Sequence, residues 1–416
     1  MRDPLRKNRD FVLLQAGELL SAAGTQSSVI AYLLLVLAVT HSPQDAGIVS
    51  FARTVPYVVF GLFAGVAADR WNRKRMMLAS DTVRALALAS LVITIAFGGL
   101  TFAQIAIVSF VEGTCFVFFN VAAAGALRSV VPASQLADAA GAEQARLAIV
   151  RLTGPPVGGA LFGLGRALPF LADAVSYVFS IASLLAIRKP FQEERETDTS
   201  RLRSQIAEGF RFLWQQPFLR TTALIFAIAN FAFSGLMLAV IVIGKRQGLP
   251  SGQIGLLVAA LGASTLLGAF VSGVLRRRFS MRTILVVELW AAVGSAAFIA
   301  RPNVYVLVAG LLPQSFVIPV TDSLLNAYRY AVAPDRLVGR LVSITRNIGL
   351  IMTPLGPLAA GFLLGSVSAR TTVAVFAACV LAIAIWGTLS PSIRTVPTIP
   401  DTGATPHAPE RDTVSL

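Results

Sequence analysis

Charge is scarce in this chain of 416 residues: Asp, Glu, Lys and Arg make up 13%, against roughly a quarter in a soluble domain. Histidine is rarer still. Of the two, His41 lies between apolar runs and His407 in a polar tail. The two cysteines, Cys115 and Cys379, each sit inside an apolar run. These shortages exclude a disulfide framework, a Cys/His metal site and a His-based nucleophile. No Walker-type phosphate loop, His-Glu-x-x-His run or nucleophile elbow flanked by histidine appears, so neither direct ATP use nor intramembrane hydrolysis is indicated. What fills the chain is apolar: 55% of residues are hydrophobic and the mean hydropathy is +0.72. A soluble enzyme, a disordered protein and a coiled coil are thereby excluded, and no cofactor or metal is expected.

The natural unit is the membrane span, which needs about 20 mainly apolar residues. Such runs fall at 11–39, 46–68, 75–98, 103–126, 137–164, 168–187, 219–243, 253–274, 282–300, 303–326, 338–365 and 370–389, twelve in all. The first is too long for a cleaved signal peptide and no small-residue cleavage site follows it. Twelve spans put both termini on one side. The connecting segments on that side hold 25 Lys and Arg residues, and the opposite loops hold 5. Basic loops stay cytoplasmic, so both termini are expected inside the cell, in the inner (plasma) membrane. The net charge of +14 then reflects topology and attraction to anionic lipid, and nucleic acid is not an expected partner.

A polar stretch at 188–218 divides the chain into an N-terminal half, 1–187, and a C-terminal half, 219–390, followed by a tail, 391–416, expected to be disordered. Within the stretch, Leu202, Ile206, Phe210, Leu213 and Trp214 fall on one helical face. That face predicts either a helix lying in the membrane interface or a linker helix packed on the bundle. The halves echo each other. A shift of 202 residues superposes Pro132 on Pro334, Gly154 on Gly356, Pro155 on Pro357, Gly159 on Gly361 and Gly163 on Gly365. A shift of 208 superposes Gly65 on Gly273. Six-span parallel repeats related by an axis along the membrane normal are a transporter architecture.

At this point the residues carry a resemblance. Gly65-Val-Ala-Ala-Asp69-Arg70-Trp-Asn-Arg73-Lys74 resembles the loop between spans two and three that marks the major facilitator superfamily, with Asn72 where that signature usually has glycine. Gly154-Pro155-Pro-Val-Gly158-Gly159 resembles the span-five motif of its drug antiporters. Asp81-Thr-Val-Arg84, Asp173-Ala-Val-Ser176-Tyr177 and Glu208-Gly-Phe-Arg211 resemble the branch of enterobactin exporters and macrolide-efflux proteins. The resemblance spans residues 8–390. It implies an all-α membrane protein of twelve transmembrane helices in two six-helix halves related by pseudo-twofold symmetry. It also implies that Asp69 closes the cytoplasmic side against span eleven, and that spans one, four, seven and ten line a central cavity. Glu18, Glu112, Asn230 and Asp322 sit on those spans.

Charged groups inside a membrane are costly, so they face the bundle interior and pair or carry function. Counting helical rise from the inner ends of their spans, Arg53, Glu112, Arg151 and Asp173 fall at similar depth, about 20 Å. Glu18, Glu143 and Asp322 are shallower, and Glu288, Arg146 and Arg346 intermediate. Glu112 is either a titrating proton carrier facing the cavity or a permanently ionised partner of Arg151. Arg53 and Arg146 read as structural partners. The carboxylate of Asp69 suits the N-terminus of a facing helix, or the loop of Arg70, Arg73 and Lys74 only fixes topology. The glycines and prolines of the span-five motif allow close packing and a bend. Together these readings predict a monomeric secondary transporter, a proton-coupled exporter of a lipophilic small molecule such as a drug or siderophore. A lysolipid carrier and a non-transporting sensor or scaffold are the alternatives.

Overall fold

The computed structural model describes residues 5–191 and 202–395, which contain helices and no strand. In the N-terminal half these are α1 (Arg9–Thr40), α2 (Pro43–Arg70), α3 (Arg73–Phe97), α4 (Phe102–Val130), α5 (Leu136–Leu164) and α6 (Leu168–Ala186). The short α7 (Leu202–Gln215) leads into α8 (Pro217–Arg246), α9 (Ser251–Arg278), α10 (Met281–Ala292), α11 (Ala297–Ala300), α12 (Val304–Val332), α13 (Asp335–Ile351), α14 (Leu355–Ser366), α15 (Ala369–Leu389) and α16 (Pro391–Arg394). Among the described residues eleven spans are long and apolar enough to cross a membrane, with Met281–Ala300 and Leu341–Ser366 each counted as one. The 28-residue α2, which packs along α4 and α14, is the twelfth helix of the bundle.

Side chains punctuate the helices as their types predict. Ser42, Asn72, Thr101, Ser280 and Ser368 each accept a hydrogen bond from a backbone N–H in the first turn of the helix that follows, the standard use of such residues at helix starts. Asn72 therefore has a structural reason to replace the signature glycine: its Oδ1 accepts from Arg75 N at 3.0 Å and opens α3.

The sequence repeat becomes a repeat of contacts. Gly154 of α5 packs on Gln26 of α1, and its counterpart Gly356 packs on Phe231 and Ser234 of α8. Gly159 packs on Ser251 of α9, in the opposite half, and Gly361 packs on Pro43 and Gly47 of α2, again in the opposite half. In each case a Cβ would enter the neighbour's backbone or side chain, so only glycine permits the approach. Pro155 and Pro156 are absorbed within α5, and the carbonyl of Pro155 meets Gly255 of α9.

These contacts define one closed end. The α5–α9 pair meets through Gly159, Gly255 and Gly262, and the α2–α14 pair through Gly47, Gly361 and Gly365. All lie at or toward the end opposite the start of α1 and the end of α15. Toward the terminal end, Asp138, Gly141, Ala142, Gln144 and Ala145 of α5 are exposed, and no atom lies within 4 Å of a Cβ built at Gly65, Gly141 or Gly273. The halves thus touch at the far end and part at the terminal end.

Helix α7 packs on α13 and α8. Leu213 is fully buried there, whereas Phe210 and Trp214 are exposed and stack on each other with ring centroids 5.2 Å apart. The apolar face is therefore shared between the bundle and the outside. The side chains of Leu202 and Ile206, and the tail beyond residue 395, lie outside the described residues.

Candidate functional site

Between the halves lies a cavity of about 320 Å³, lined by α1, α2, α5, α8, α9, α14 and the α13–α14 link. Its wall is mostly apolar, with Ile30, Leu33, Phe233, Met237, Leu238 and Val258. A polar band runs through Gln26, Ser50, Arg53, Thr54, Ser234 and Thr353. Arg53, Thr54 and Thr353 also line an adjoining space of about 230 Å³ that reaches Tyr57, Phe116 and Leu350. An apolar wall with a few oriented polar groups is the usual form of a small-molecule site.

Behind the wall is a buried charge cluster. Glu112 of α4 is fully buried and receives both Nη atoms of Arg53, Nη2 at 3.1 Å. The close approach is set by the next residue, Gly113, whose Cβ position is occupied by the Arg53 carbonyl. On its other side Glu112 Oε1 lies 3.5 Å from Arg84 Nη2 and accepts from Tyr177 Oη at 3.2 Å. Arg84 donates to Thr25 Oγ1 at 2.7 Å, pairs with Asp81 at 3.5 Å, and lies over the Tyr177 ring at 4.1 Å. Asp173 of α6 completes the group, pressed against α1 at Gly24. Arg84, Asp81, Glu112 and Asp173 are each 1% exposed or less. Arg53, 13% exposed at its side chain, is the member that reaches the cavity. A second pair, Glu18 Oε2 with Arg146 Nη2 at 2.8 Å, ties α1 to α5. No group of three or more His, Cys, Asp or Glu among the described residues could hold a metal.

A profile of the family described as transmembrane secretion effector matches residues 3–410. The chain belongs to this major facilitator family. It is similar to the multidrug efflux pump Tap of Mycolicibacterium fortuitum, with 25% identity over 400 residues, 93% of this chain and 97% of the relative. It is also similar to macrolide efflux protein A of Streptococcus pyogenes, with 25% identity over 364 residues, 82% and 85% of the two chains. Among solved structures, a bacterial homolog of the human lysosomal transporter Spinster, inward-facing and unoccupied, aligns with TM-score 0.73 at 16% identity, covering 95% of this chain and 98% of that one. A bacterial ferroportin homologue in an inward-facing state aligns with TM-score 0.73 at 17% identity, covering 93% and 98%. The twelve-helix fold is that of a major facilitator, and the chain is a transporter, not an enzyme.

In this transporter the partner of Glu112 is not Arg151. Arg53 and Arg84 hold that carboxylate, whereas the Arg151 side chain is exposed on α5 and forms no ion pair among the described residues. Equal depth was necessary for pairing but not sufficient, because the side chains must also share a face. Glu112 itself does not face the cavity. Among the resemblance-derived lining helices, α1 and α8 do line it, while Glu18 is held by Arg146 away from the lining residues. Asn230 of α8 donates to the Gly349 carbonyl of α13 at 3.1 Å. Asp322 is exposed on α12 and lines neither space. Of the loop residues, Arg73 donates to Ala68 O at 3.2 Å and Phe191 O at 3.4 Å, and Lys74 donates to Ile187 O at 2.7 Å. Both cations therefore cap helix C-termini, where the dipole favours them. Arg70 is exposed, and the side chain of Asp69 lies outside the described ones. Gly154 and Gly158 of the span-five motif seat α5 on α1, and Gly159 seats it on α9.

The sequence reading missed Asp81, Arg84 and Tyr177 as members of a site. The signal was present: Asp81 and Arg84 are an i, i+3 pair inside an apolar span, and Tyr177 sits four residues after Asp173. Two stretches that carried the branch resemblance, in spans three and six, meet in this one cluster.

Proposed function

We propose that this protein exports lipophilic small molecules from the cell by alternating access, driven by inward movement of protons. The observation that carries the reading is the largely apolar cavity between two symmetric halves with the Arg53–Glu112 pair at its wall. Apolar walls favour lipophilic substrates by burial, and the polar band of Gln26, Ser50, Thr54, Ser234 and Thr353 offers hydrogen bonds to drug-like polar atoms. The similarity to the multidrug pump Tap and to macrolide efflux protein A supports export. On this reading the terminal end is cytoplasmic, Gly65, Asp69, Arg70, Arg73 and Lys74 form the gate that closes there, and the monomer is the working unit within its lipids. The chain comprises half 1–187, linker 188–218, half 219–390 and tail 391–416.

The test is accumulation of a panel of drugs, including erythromycin and ethidium, in efflux-deficient cells. Expression of this protein should lower accumulation of at least one compound, and a protonophore should abolish the difference. Unchanged accumulation across the panel counts against export of drugs, and export that survives the protonophore counts against proton drive.

Orientation is checked separately. In a background lacking Cys115 and Cys379, an impermeant thiol reagent applied to intact cells should modify Arg166→Cys and spare Arg278→Cys, both exposed loop-proximal sites at opposite ends of the bundle. The reverse pattern would place the termini outside.

A further inference from the structure

We infer that the proton used in coupling resides on Asp173, not on Glu112; the inference rests on the proton-driven reading above. The buried cluster contains two cations, Arg53 and Arg84, and three carboxyls, Asp81, Glu112 and Asp173. Fully ionised, it would carry one uncompensated negative charge among side chains buried from solvent. A buried unpaired charge is removed by taking up a proton.

The geometry selects which acid holds it. Glu112 contacts both arginines, and Asp81 contacts Arg84. Among the described residues Asp173 alone of the three forms no ion pair, and its Oδ2, like that of Asp81, is buried without a hydrogen-bond partner. The hydroxyl groups beside it are largely committed elsewhere. Ser176 donates to the Asp173 carbonyl at 2.7 Å and approaches Oδ1 only at 3.4 Å, while Ser28, which also lies beside the carboxyl, donates to Thr25 O at 2.9 Å. A carboxylate short of both cations and donors is the one that a proton stabilises most.

Around Asp173, helix α1 presents Ser28 and Tyr32, α3 presents Arg84 and Asp81, α4 presents Glu112 with Arg53 of α2 beyond it, and Tyr177 is on α6 itself. The last turn of α5, residues 160–164, is apolar, and Arg166 in the following turn is exposed. From this position Asp173 can communicate with the cavity without touching it. Loss of its proton adds a negative charge facing Arg84, which competes with Glu112 for that guanidinium. The competition shifts the Glu112–Arg53 pair at the cavity wall, which is the coupling element the transport cycle requires.

The direct test is infrared difference spectroscopy of the purified, full-length protein in vesicles, recorded at neutral pH in the Glu288→Gln background. Glu288 is a buried acid outside the cluster with an unpartnered oxygen, and that substitution removes its band. A carbonyl stretch of a protonated carboxyl should be present, be lost in Asp173→Asn, and be weakened in Glu112→Gln, because deleting one negative charge allows Asp173 to ionise. Asp173→Asn mimics the protonated form, so its melting temperature should match the parent. Persistence of the band in Asp173→Asn, its absence from the parent, or its loss on adding sodium ions at constant pH would overturn the assignment; the last result would make Asp173 a sodium ligand.

Transport in the same vesicles uses ethidium, provided that it is exported in the cell assay, or otherwise the compound that gave the largest effect there. Asp173→Asn should lose accumulation driven by a pH gradient and keep downhill exchange, and Asp173→Glu should restore gradient drive. If the parent shows no response to the gradient although the band belongs to Asp173, the proton-driven reading fails and the protonation site stands. If the parent responds and Asp173→Asn responds equally, this inference fails and the proton-driven reading stands.

Discussion

Glu112→Gln is expected to lower the stability of the protein by about 3 kcal/mol, toward the lower end of the ~3–5 kcal/mol typical when one partner of a buried ion pair is removed. Glutamine keeps an acceptor atom but not the charge that holds the guanidinium groups of Arg53 and Arg84. Ionisation of Asp173 would restore the net charge, but not the two hydrogen bonds of Arg53. The partial exposure of Arg53 at the cavity moderates the loss. Thermal melting in detergent should show a clear drop, with reduced yield from membranes. The double variant Arg53→Met/Glu112→Met should melt close to the parent. It removes one charge of each sign, leaves Arg84 with Asp81, and fills the space with apolar atoms, an exchange that is often neutral or stabilising for buried pairs. A Glu112→Gln protein as stable as the parent would mean that the pair contributes nothing to folding. A double variant no better than Glu112→Gln would mean that shape, not charge, is what the cluster needs.

The second large effect is expected where the halves touch. Leucine at Gly159 would drive a side chain into the Ser251 carbonyl, and leucine at Gly361 would place its Cβ 2.8 Å from Gly47 Cα. Overpacking costs about 1–3 kcal/mol at each site, and the sites lie on different helix pairs, so the two should add. The sum, about 2–6 kcal/mol, is comparable with the ~5.5 kcal/mol that inverts a 99:1 population. Because each half also has a buried cluster of its own, around Met77 and Phe119 in one and Leu219 and Leu289 in the other, the penalty falls mainly on the far-end-closed state and not on folding. Gly159→Leu/Gly361→Leu should therefore populate a form open at the far end. In the cysteine-free background, Ser50→Cys on the cavity wall should become reactive to an impermeant thiol reagent in intact cells, and export should fall. Gly158→Leu is the contrast, because Gly158 packs on Ser27 within the same half; it should reduce yield without opening the far end. Unchanged labelling and full export in the double variant would show that these glycines do not hold the closed end.

Much of this was legible in the chain itself, for reasons that are local or periodic. A membrane allows few ways to satisfy backbone hydrogen bonds, so apolar runs of about 20 residues gave the helix count, and the 202-residue echo gave two equivalent halves. In the structure the echo extends to contact types: Gly154 and Gly356 each seat a helix on the first helix of their own half, and Gly159 and Gly361 each reach the second helix of the other. The interruptions were less visible. The 3-10 turn at Val293–Ala296 lies at the crossing of Gly294 against Gly310, which are distant in sequence, whereas the break before Leu355 falls at Pro354.

The chain alone determined that acids and bases lie within the spans, because each sits in an apolar run, but Arg151 and Asp322 prove exposed. It did not determine which meet. Helix rise fixes depth, and Arg53, Glu112, Arg151 and Asp173 share a depth. Pairing also requires rotation about each helix axis and the choice of neighbouring helix, and both are set by packing. Tertiary structure turned Arg53 and Arg84 toward Glu112, left Arg151 exposed on α5, and left Asp173 beside the cluster without a cation. The cavity is likewise a tertiary product: its wall combines short stretches of two halves that are separated by the linker in sequence and joined only where glycine lets their backbones touch.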